Sequence, residues 1–271
     1  MRNKRYRRKY RWNVARIFMV TVLFLVFLGI IVTWRSRRIE AEREREAQGI
    51  SETKEKKDSE ETIKKIFSDK TRYPDELLEM LERNPDMADF VAGYPEADRK
   101  KVGSFSQKEI EADHPLLIQY DKRWGYYKYG DSMIAVSGCG PVCLSMVILG
   151  LRHEEVLPSK ICKFCEKEGY YVQGSGTSWQ LMTEGAAHFG LTARELSLSE
   201  SSMLNVLDTG GMIICAMRPG DFTTTGHFIV IYGYDGEGFL VNDPNSRQRS
   251  SRSWGFDELS GQIKNLWGYT G

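Results

Sequence analysis

The chain has 271 residues, with 38 lysines and arginines against 37 aspartates and glutamates, so its formal net charge is only +1. This balance gives no reason to propose a nucleic-acid partner, because the clustered arginines belong to one short N-terminal stretch. The sequence has no internal repeat and no phosphate-binding glycine loop, which argues against solenoid folds and nucleotide-binding functions.

Residues 17–34 are predicted to form a single transmembrane helix that follows a basic tail, residues 1–16. The stretch is almost wholly apolar, and at about 1.5 Å per residue it is just long enough to cross a bilayer core of about 30 Å. The positive-inside tendency predicts a cytoplasmic N-terminus and an extracellular C-terminal part. A cleaved signal peptide is the alternative, but the bulky, charged residues after the apolar stretch favour a retained anchor.

Two segments are predicted between this anchor and the rest of the chain. Residues 35–72 are dense in charged side chains and nearly devoid of aromatic ones, so they are predicted to be a linker, either disordered or a solvated helical stalk. Residues 73–110 are predicted to form short amphipathic helices that either cap the following domain or lie near its cleft. The apolar faces of these helices consist of Leu77, Leu78 and Leu81, and of Met87, Phe90 and Val91.

Residues 111–271 are long enough for one compact domain, and the order of their elements predicts an α+β fold. Helical patterns come first and strand patterns follow. The predicted helices are Cys139–Leu149, Lys160–Lys167, Ser178–Phe189 and Ser199–Leu207, and the predicted strands are Met212–Met217, His227–Tyr234, Phe239–Asn242 and Leu266–Tyr269. Gly150 is predicted to end the first of these helices.

Cys139 lies at the predicted start of a helix, in a Gly-Cys-Gly-Pro sequence. The free N–H groups and the positive dipole end of a helix favour thiolate over thiol, so this position makes a cysteine nucleophilic. The flanking glycines would let another backbone approach. A buried structural cysteine is the alternative, and Cys143 is interpreted in that way.

A base and an orienting group are predicted downstream. His227 begins one strand, and Asp243 follows the next strand after a short turn. In such a hairpin the end of the second strand returns beside the start of the first, so the Asp243 carboxylate is expected to approach the imidazole.

These residues belong to a wider resemblance that extends from about Pro115 to Trp267. It rests on Gln119-Tyr120-Asp121-Lys122-Arg123-Trp124, Gly138-Cys139-Gly140-Pro141, Gly226-His227-Phe228-Ile229-Val230 and Asn242-Asp243-Pro244. The sequence resembles the papain-like cysteine peptidases, and within them the family that cuts double-glycine leader peptides from bacteriocin precursors. The resemblance implies a papain-like domain of two lobes, a helical lobe with the cysteine and an antiparallel sheet lobe with the histidine, and an active site in the cleft between them.

The resemblance also implies a role for each site residue. Cys139 would be the nucleophile, His227 the general base and then acid, and Asp243 the orienting carboxylate, with Asn242 as the rival because papain uses an asparagine there. Leader-cutting members carry an oxyanion-hole glutamine six residues before the cysteine, where this chain has Met133. Gln119 is the nearest upstream candidate for that donor. The Cys139 backbone N–H at the start of the helix can supply a further one.

No cofactor and no metal are predicted. Cys162 and Cys165 have the spacing of a redox motif or of half a zinc site, but no second pair of ligands has the spacing that a metal requires. Cys215 is interpreted as a core residue, and a disulfide among the cysteines other than Cys139 is left open, since the odd count of five leaves one thiol free.

The sequence therefore predicts a membrane-anchored, extracytoplasmic bacterial cysteine peptidase that acts on a peptide or protein substrate. Two alternatives remain open: a hydrolase or transpeptidase of cell-wall peptides with the same fold, and a papain-like binding module that has lost turnover. The sequence contains no indication of an oligomeric state.

Overall fold

The computed structural model describes residues 19, 33–35, 37–38, 54, 56–174 and 176–270. The predicted basic tail and nearly all of the predicted transmembrane helix lie outside these residues. Within the described part of the chain, no helix is both long enough and apolar enough to span a bilayer. The chain divides into two compact units, residues 1–60 and 61–271. In the first unit every described residue is helical.

The second unit contains both helices and strands, in agreement with the predicted α+β class. Its helices are α1 (residues 61–68), α2 (Asp75–Arg83), α3 (Ala88–Gly93), α4 (Gln107–Ile110), α5 (Ile134–Ser137), α6 (Cys139–Arg152), α7 (Pro158–Glu168), α8 (Glu184–His188), α9 (Glu200–Leu207) and α10 (Phe256–Ser260). Its strands are β1 (Lys128–Tyr129), β2 (Ser132–Met133), β3 (Tyr171–Val172), β4 (Gly176–Thr177), β5 (Thr192–Glu195), β6 (Met212–Met217), β7 (His227–Tyr234), β8 (Phe239–Asn242), β9 (Ser253–Trp254) and β10 (Ile263–Thr270).

Six strands form one antiparallel sheet in the order β5-β10-β6-β7-β8-β9. Strand β6 is buried along its whole length, as expected for an apolar run in the middle of a sheet. The predicted strands Met212–Met217, His227–Tyr234 and Phe239–Asn242 coincide with β6, β7 and β8. Strand β10 is longer than predicted, because Lys264 and Asn265 interrupt the apolar run in its first half.

Helix α6 packs against strands β6 and β7 of this sheet. Every residue from Gly140 to Leu149 is buried, so the helix has no solvent-facing side over that length. The prediction that Gly150 ends the helix is wrong, since α6 continues to Arg152 and His153 takes the left-handed conformation after it. A Cβ on Gly150 would stand 2.8 Å from the Asp113 carbonyl oxygen, so this glycine serves close packing instead.

The predicted helix Ser178–Phe189 is interrupted. A 3-10 helix, Trp179–Met182, comes first, and α8 follows after Thr183, whose backbone torsions of φ −119° and ψ −78° break the helical run. Helices α7 and α9 lie where helices were predicted, and α7 begins with Pro158 in its first turn.

Helices α2 and α3 pack against the segment that leads to Cys139. Their predicted apolar faces are buried in one cluster with Ile118, Tyr120, Tyr126, Met133 and Ala135. Phe90 stacks on Tyr126 at a centroid distance of 4.2 Å, and the Tyr126 hydroxyl donates to the Phe90 carbonyl oxygen. Ile66 of α1 is buried in the same cluster, so the compact unit begins inside the segment predicted as a linker.

Candidate active site

Cys139 is the first residue of α6 and is half-buried. No described residue accepts a hydrogen bond from its backbone N–H, as expected for the first turn of a helix. Gly140 permits close packing at this point, because a Cβ there would stand 3.0 Å from the side chain of Thr177 on β4. The thiol is thus held at the N-terminus of a buried helix with a free N–H beside it.

The side chains of His227 and Asp243 are in contact, as expected from the predicted hairpin. Strands β7 and β8 pair so that the end of β8 lies beside the start of β7. The His227 Nε2 and the Asp243 Oδ1 are 2.8 Å apart, and both side chains are buried. Because Nε2 is bonded to the carboxylate, Nδ1 is the ring nitrogen that remains for the thiol of Cys139.

Asp243 has further partners that fix its carboxylate. The Arg249 Nε donates to Oδ2 at 2.5 Å, and the Asn245 backbone N–H donates to Oδ1 at 2.7 Å. Arg249 was missed by the sequence analysis, because nothing in a serine- and arginine-rich loop distinguishes one arginine from its neighbours. The loop after β8 therefore supplies the second cation that this buried carboxylate needs.

The pKa values of the pair move in opposite directions. Burial raises the pKa of Asp243, but the charges of His227 and Arg249 outweigh burial and hold this pKa below its ordinary value. Burial lowers the pKa of His227, but attraction to Asp243 and hydrogen bonds to Asp243 and Cys139 outweigh burial and raise this pKa to about 10. The imidazole is therefore a cation at neutral pH, facing the thiol on one side and a carboxylate on the other.

Asn242, the rival of Asp243, is turned away from the imidazole. Its Nδ2 donates to the carbonyl oxygens of His114 and Pro115, at 3.2 Å each. These bonds attach β8 to the chain that precedes Gln119. Asp243, and not Asn242, is therefore the residue whose side chain contacts His227.

Gln119 lies behind the cleft surface, and only 2% of it is exposed. Its backbone N–H donates to the Pro244 carbonyl oxygen at 2.8 Å, and its Nε2 donates to the Ala135 carbonyl oxygen at 2.7 Å. Its Oε1 is buried, and no described residue donates to it. Met133, which stands six residues before Cys139, has an apolar side chain buried in the cluster of α2 and α3.

Cys139 and His227 line a cleft with a volume of about 890 Å³. One wall comes from the helical part of the unit and includes Cys139, Ser132 and Ser137, and the other comes from the sheet and its loops and includes His227 and Met217. The exposed ring of Trp179 also faces the cleft. This open, two-walled shape can hold an extended chain across the thiol.

The other cysteines are free thiols buried in the core. Burial raises the pKa values of Cys143 and Cys162 well above the ordinary thiol value, so neither is activated as a nucleophile. Within the described residues, no group of three or more histidine, cysteine and acidic side chains is placed to hold a metal ion.

We expect Asp243→Asn to lower the pKa of His227 from about 10 to below the ordinary histidine value of about 6.5. The substitution removes the largest of the effects that raise this pKa, while burial, which lowers it, remains. The measurement is an NMR titration of the four histidines in the native and substituted proteins. His114 is the internal control, because partial burial puts its pKa below the ordinary value and the substitution leaves that burial unchanged. An unchanged His227 pKa would contradict the electrostatic origin of the shift.

Comparison with known proteins gives a family match, and two peptidases are among the solved structures that match the chain. A profile of the Peptidase_C39 like family matches residues 111–271, so α2 and α3 lie outside the match. The peptidase domain of Streptococcus ComA, a bi-functional ABC transporter involved in a quorum sensing pathway, is 16% identical with a TM-score of 0.42, and the alignment covers 58% of this chain and 98% of that one. A protein from Bacillus anthracis described as a C39-like peptidase is 15% identical with a TM-score of 0.35, covering 58% and 94%. No curated protein matches the chain.

Proposed function

The chain belongs to the Peptidase_C39 like family, and on that basis we propose that it is a cysteine peptidase with Cys139 as nucleophile, His227 as general base and acid, and Asp243 as orienting carboxylate. The observation that carries the proposal is the buried 2.8 Å contact between His227 and Asp243, beside a cleft that His227 and Cys139 both line. A structural histidine would need neither a thiol at a helix N-terminus nor an open cleft beside it.

The proposed reaction has two stages. In the first, the Cys139 thiolate attacks the carbonyl carbon of the peptide, and His227 gives its Nδ1 proton to the leaving amine as the C–N bond breaks. A thioester on Cys139 remains. In the second, His227 takes a proton from water, the resulting hydroxide attacks the thioester, and the carboxylic acid product leaves as the thiolate re-forms. Asp243 stays ionised throughout and holds Nε2.

The tetrahedral oxyanion needs donors, and we assign these to the Cys139 N–H and the Gln119 amide. The Gly138 N–H donates to the Ile134 carbonyl oxygen in a helical pattern, so the next acceptor, the Ala135 oxygen, stands where a continuing helix would offer it to Cys139. Gln119 occupies that oxygen instead and leaves the Cys139 N–H free. The second hydrogen of the Gln119 Nε2 has no acceptor among the described residues, and this hydrogen is the one that we assign to the oxyanion.

Replacing His227 by alanine should abolish peptide hydrolysis and slow the alkylation of Cys139 by iodoacetamide at pH 7, since the imidazolium that favours the thiolate is gone. Asp243→Asn should slow turnover by roughly 10²- to 10⁴-fold without abolishing it, because the asparagine oxygen still accepts from Nε2 but carries no charge. The measurements are hydrolysis of a fluorogenic peptide mixture and mass-spectrometric alkylation rates.

Cys143→Ala is the matched control for these variants, because this buried thiol lies one turn further along the same helix and outside the cleft. It should retain hydrolysis, whereas Cys139→Ala should lose it. Equal alkylation of Cys139 with and without His227 would instead support the non-catalytic binding module.

Gln119→Ala should lower kcat by roughly 10²–10³-fold with little change in KM, the usual loss when one oxyanion donor is removed. Gln119→Leu keeps the approximate size of the side chain but has no polar hydrogen to donate, so it should be equally slow. Gln107→Ala, on the exposed helix α4, serves as the control for a lost glutamine. A native kcat in both Gln119 variants would contradict a role for this amide. The Cys139 N–H would then be the oxyanion donor without it.

We further propose that residues 17–34 anchor the enzyme in the cell membrane, with the basic tail in the cytoplasm and the peptidase outside. The support is the length of the apolar stretch and the arginine-rich tail before it. In intact bacterial cells that express the full chain, added protease should then degrade the peptidase and spare a small membrane fragment. Protection of the peptidase until the cells are lysed would contradict this orientation, and a mature N-terminus beyond Trp34 would identify a cleaved signal peptide.

A further inference from the structure

The two walls of the cleft carry side chains of opposite charge. One of these side chains, Glu76, precedes the residues that match the family profile. Glu76 of α2 and Asp131 line the wall that carries Cys139, whereas Arg218 and Lys264 line the sheet wall that carries His227. Helix α2 precedes residue 111, where the match begins. The N-terminal helical segment therefore contributes a carboxylate directly to the cleft.

Glu76 belongs to a packed helix and contacts a cleft residue. Leu77, Leu78 and Leu81 bury the apolar face of α2 against the domain, and the Glu76 Oε2 accepts a hydrogen bond from the Ser132 hydroxyl at 3.0 Å. Ser132 lines the same cleft. The carboxylate is therefore exposed to solvent and bonded to a residue of the cleft wall.

Neither carboxylate on this wall forms an ion pair with another described residue. Asp131 is bonded to the Tyr171 hydroxyl, and the charge of Lys128 helps to lower its pKa, whereas Glu76 is bonded to Ser132. Across the cleft, the Arg218 guanidinium donates to the Ile263 carbonyl oxygen, and the Lys264 ammonium lies over the Trp179 ring. The charges on the two walls are therefore available to whatever lies between them.

Asp75 and Glu76 both stand in the first turn of α2, where acidic side chains favour the helix dipole. That role explains Asp75, which does not line the cleft. It does not explain why the Glu76 carboxylate is bonded to Ser132 at the rim of the cleft.

We propose that Glu76 is a specificity-determining residue, which selects peptide substrates carrying a lysine or arginine side chain at one position near the scissile bond. A peptide that reaches Cys139 must lie between the two walls. A basic side chain on the Glu76 side would form a charge-assisted hydrogen bond with an otherwise unpaired carboxylate, while an acidic side chain would be repelled by Glu76 and Asp131. This inference rests on the proposed peptidase function and adds its substrate class.

The test uses the purified full chain and a fluorogenic peptide library in which each position is varied in turn among lysine, glutamine and glutamate. The native protein should prefer lysine at one position. Glu76→Gln, which still accepts the Ser132 hydrogen bond, should lower kcat/KM for the lysine peptides by roughly 3- to 30-fold and leave the glutamine peptides unchanged. Glu76→Lys should reverse the preference towards glutamate.

Asp75→Asn is the matched control, because it removes a charge from the same helical turn at a residue that does not line the cleft. It should keep the native preference, and thermal unfolding of all three variants should show that any loss of selectivity is not a loss of folding. A lysine preference that survives in both Glu76 variants, or no preference in the native protein, would overturn the assignment of Glu76 alone. Absence of any cleavage that depends on Cys139 would overturn the peptidase function itself.

Discussion

The buried carboxylate of Asp243 is the constraint on which the site depends. The residue is 0% exposed, and moving an unpaired carboxylate from water to the protein interior costs several kcal/mol. His227, Arg249 and the Asn245 N–H together compensate for that cost. Removing one of these partners therefore does more than delete a contact, because it leaves part of a buried charge without compensation.

This requirement explains the shape of the loop after β8. The chain turns at Pro244 and returns so that Arg249 reaches the carboxylate that precedes the turn, and the Ser250 hydroxyl accepts from the Asp243 N–H at 2.8 Å. The loop thus fixes Asp243 from its own side. Strand pairing fixes His227 from the other, since Met217 of β6 is its partner in the sheet.

Gln119 links this loop to the segment before the nucleophile. Its backbone bonds Pro244, next to Asp243, and its side chain bonds Ala135, which lies one helical turn before Cys139. A single buried residue therefore relates the position of the orienting carboxylate to that of the thiol. This link also explains why a glutamine so far from Cys139 in sequence remains a candidate for the chemistry.

Patterns within a few residues were enough to predict the strands β6, β7 and β8 and the meeting of His227 with Asp243, because hairpin geometry follows from local sequence. The interruption at Thr183 and the close packing at Gly150 depend on neighbouring parts of the fold, and a single sequence does not contain that information. Arg249 is a further case, since its role arises only when the loop returns to Asp243.

The same reasoning applies to the N-terminal helices, whose amphipathic faces were predicted but whose contacts were not. Besides the apolar cluster, the Asn84 Nδ2 donates to the Asn245 carbonyl oxygen at 2.7 Å, and Arg83 donates to the Thr224 hydroxyl at 3.3 Å. Asn245 lies in the loop after β8, and Thr224 lies just before His227. These helices therefore contact the sheet side of the site as well as the wall that carries Cys139. The folded unit that holds the site together therefore extends well before residue 111, where the family match begins.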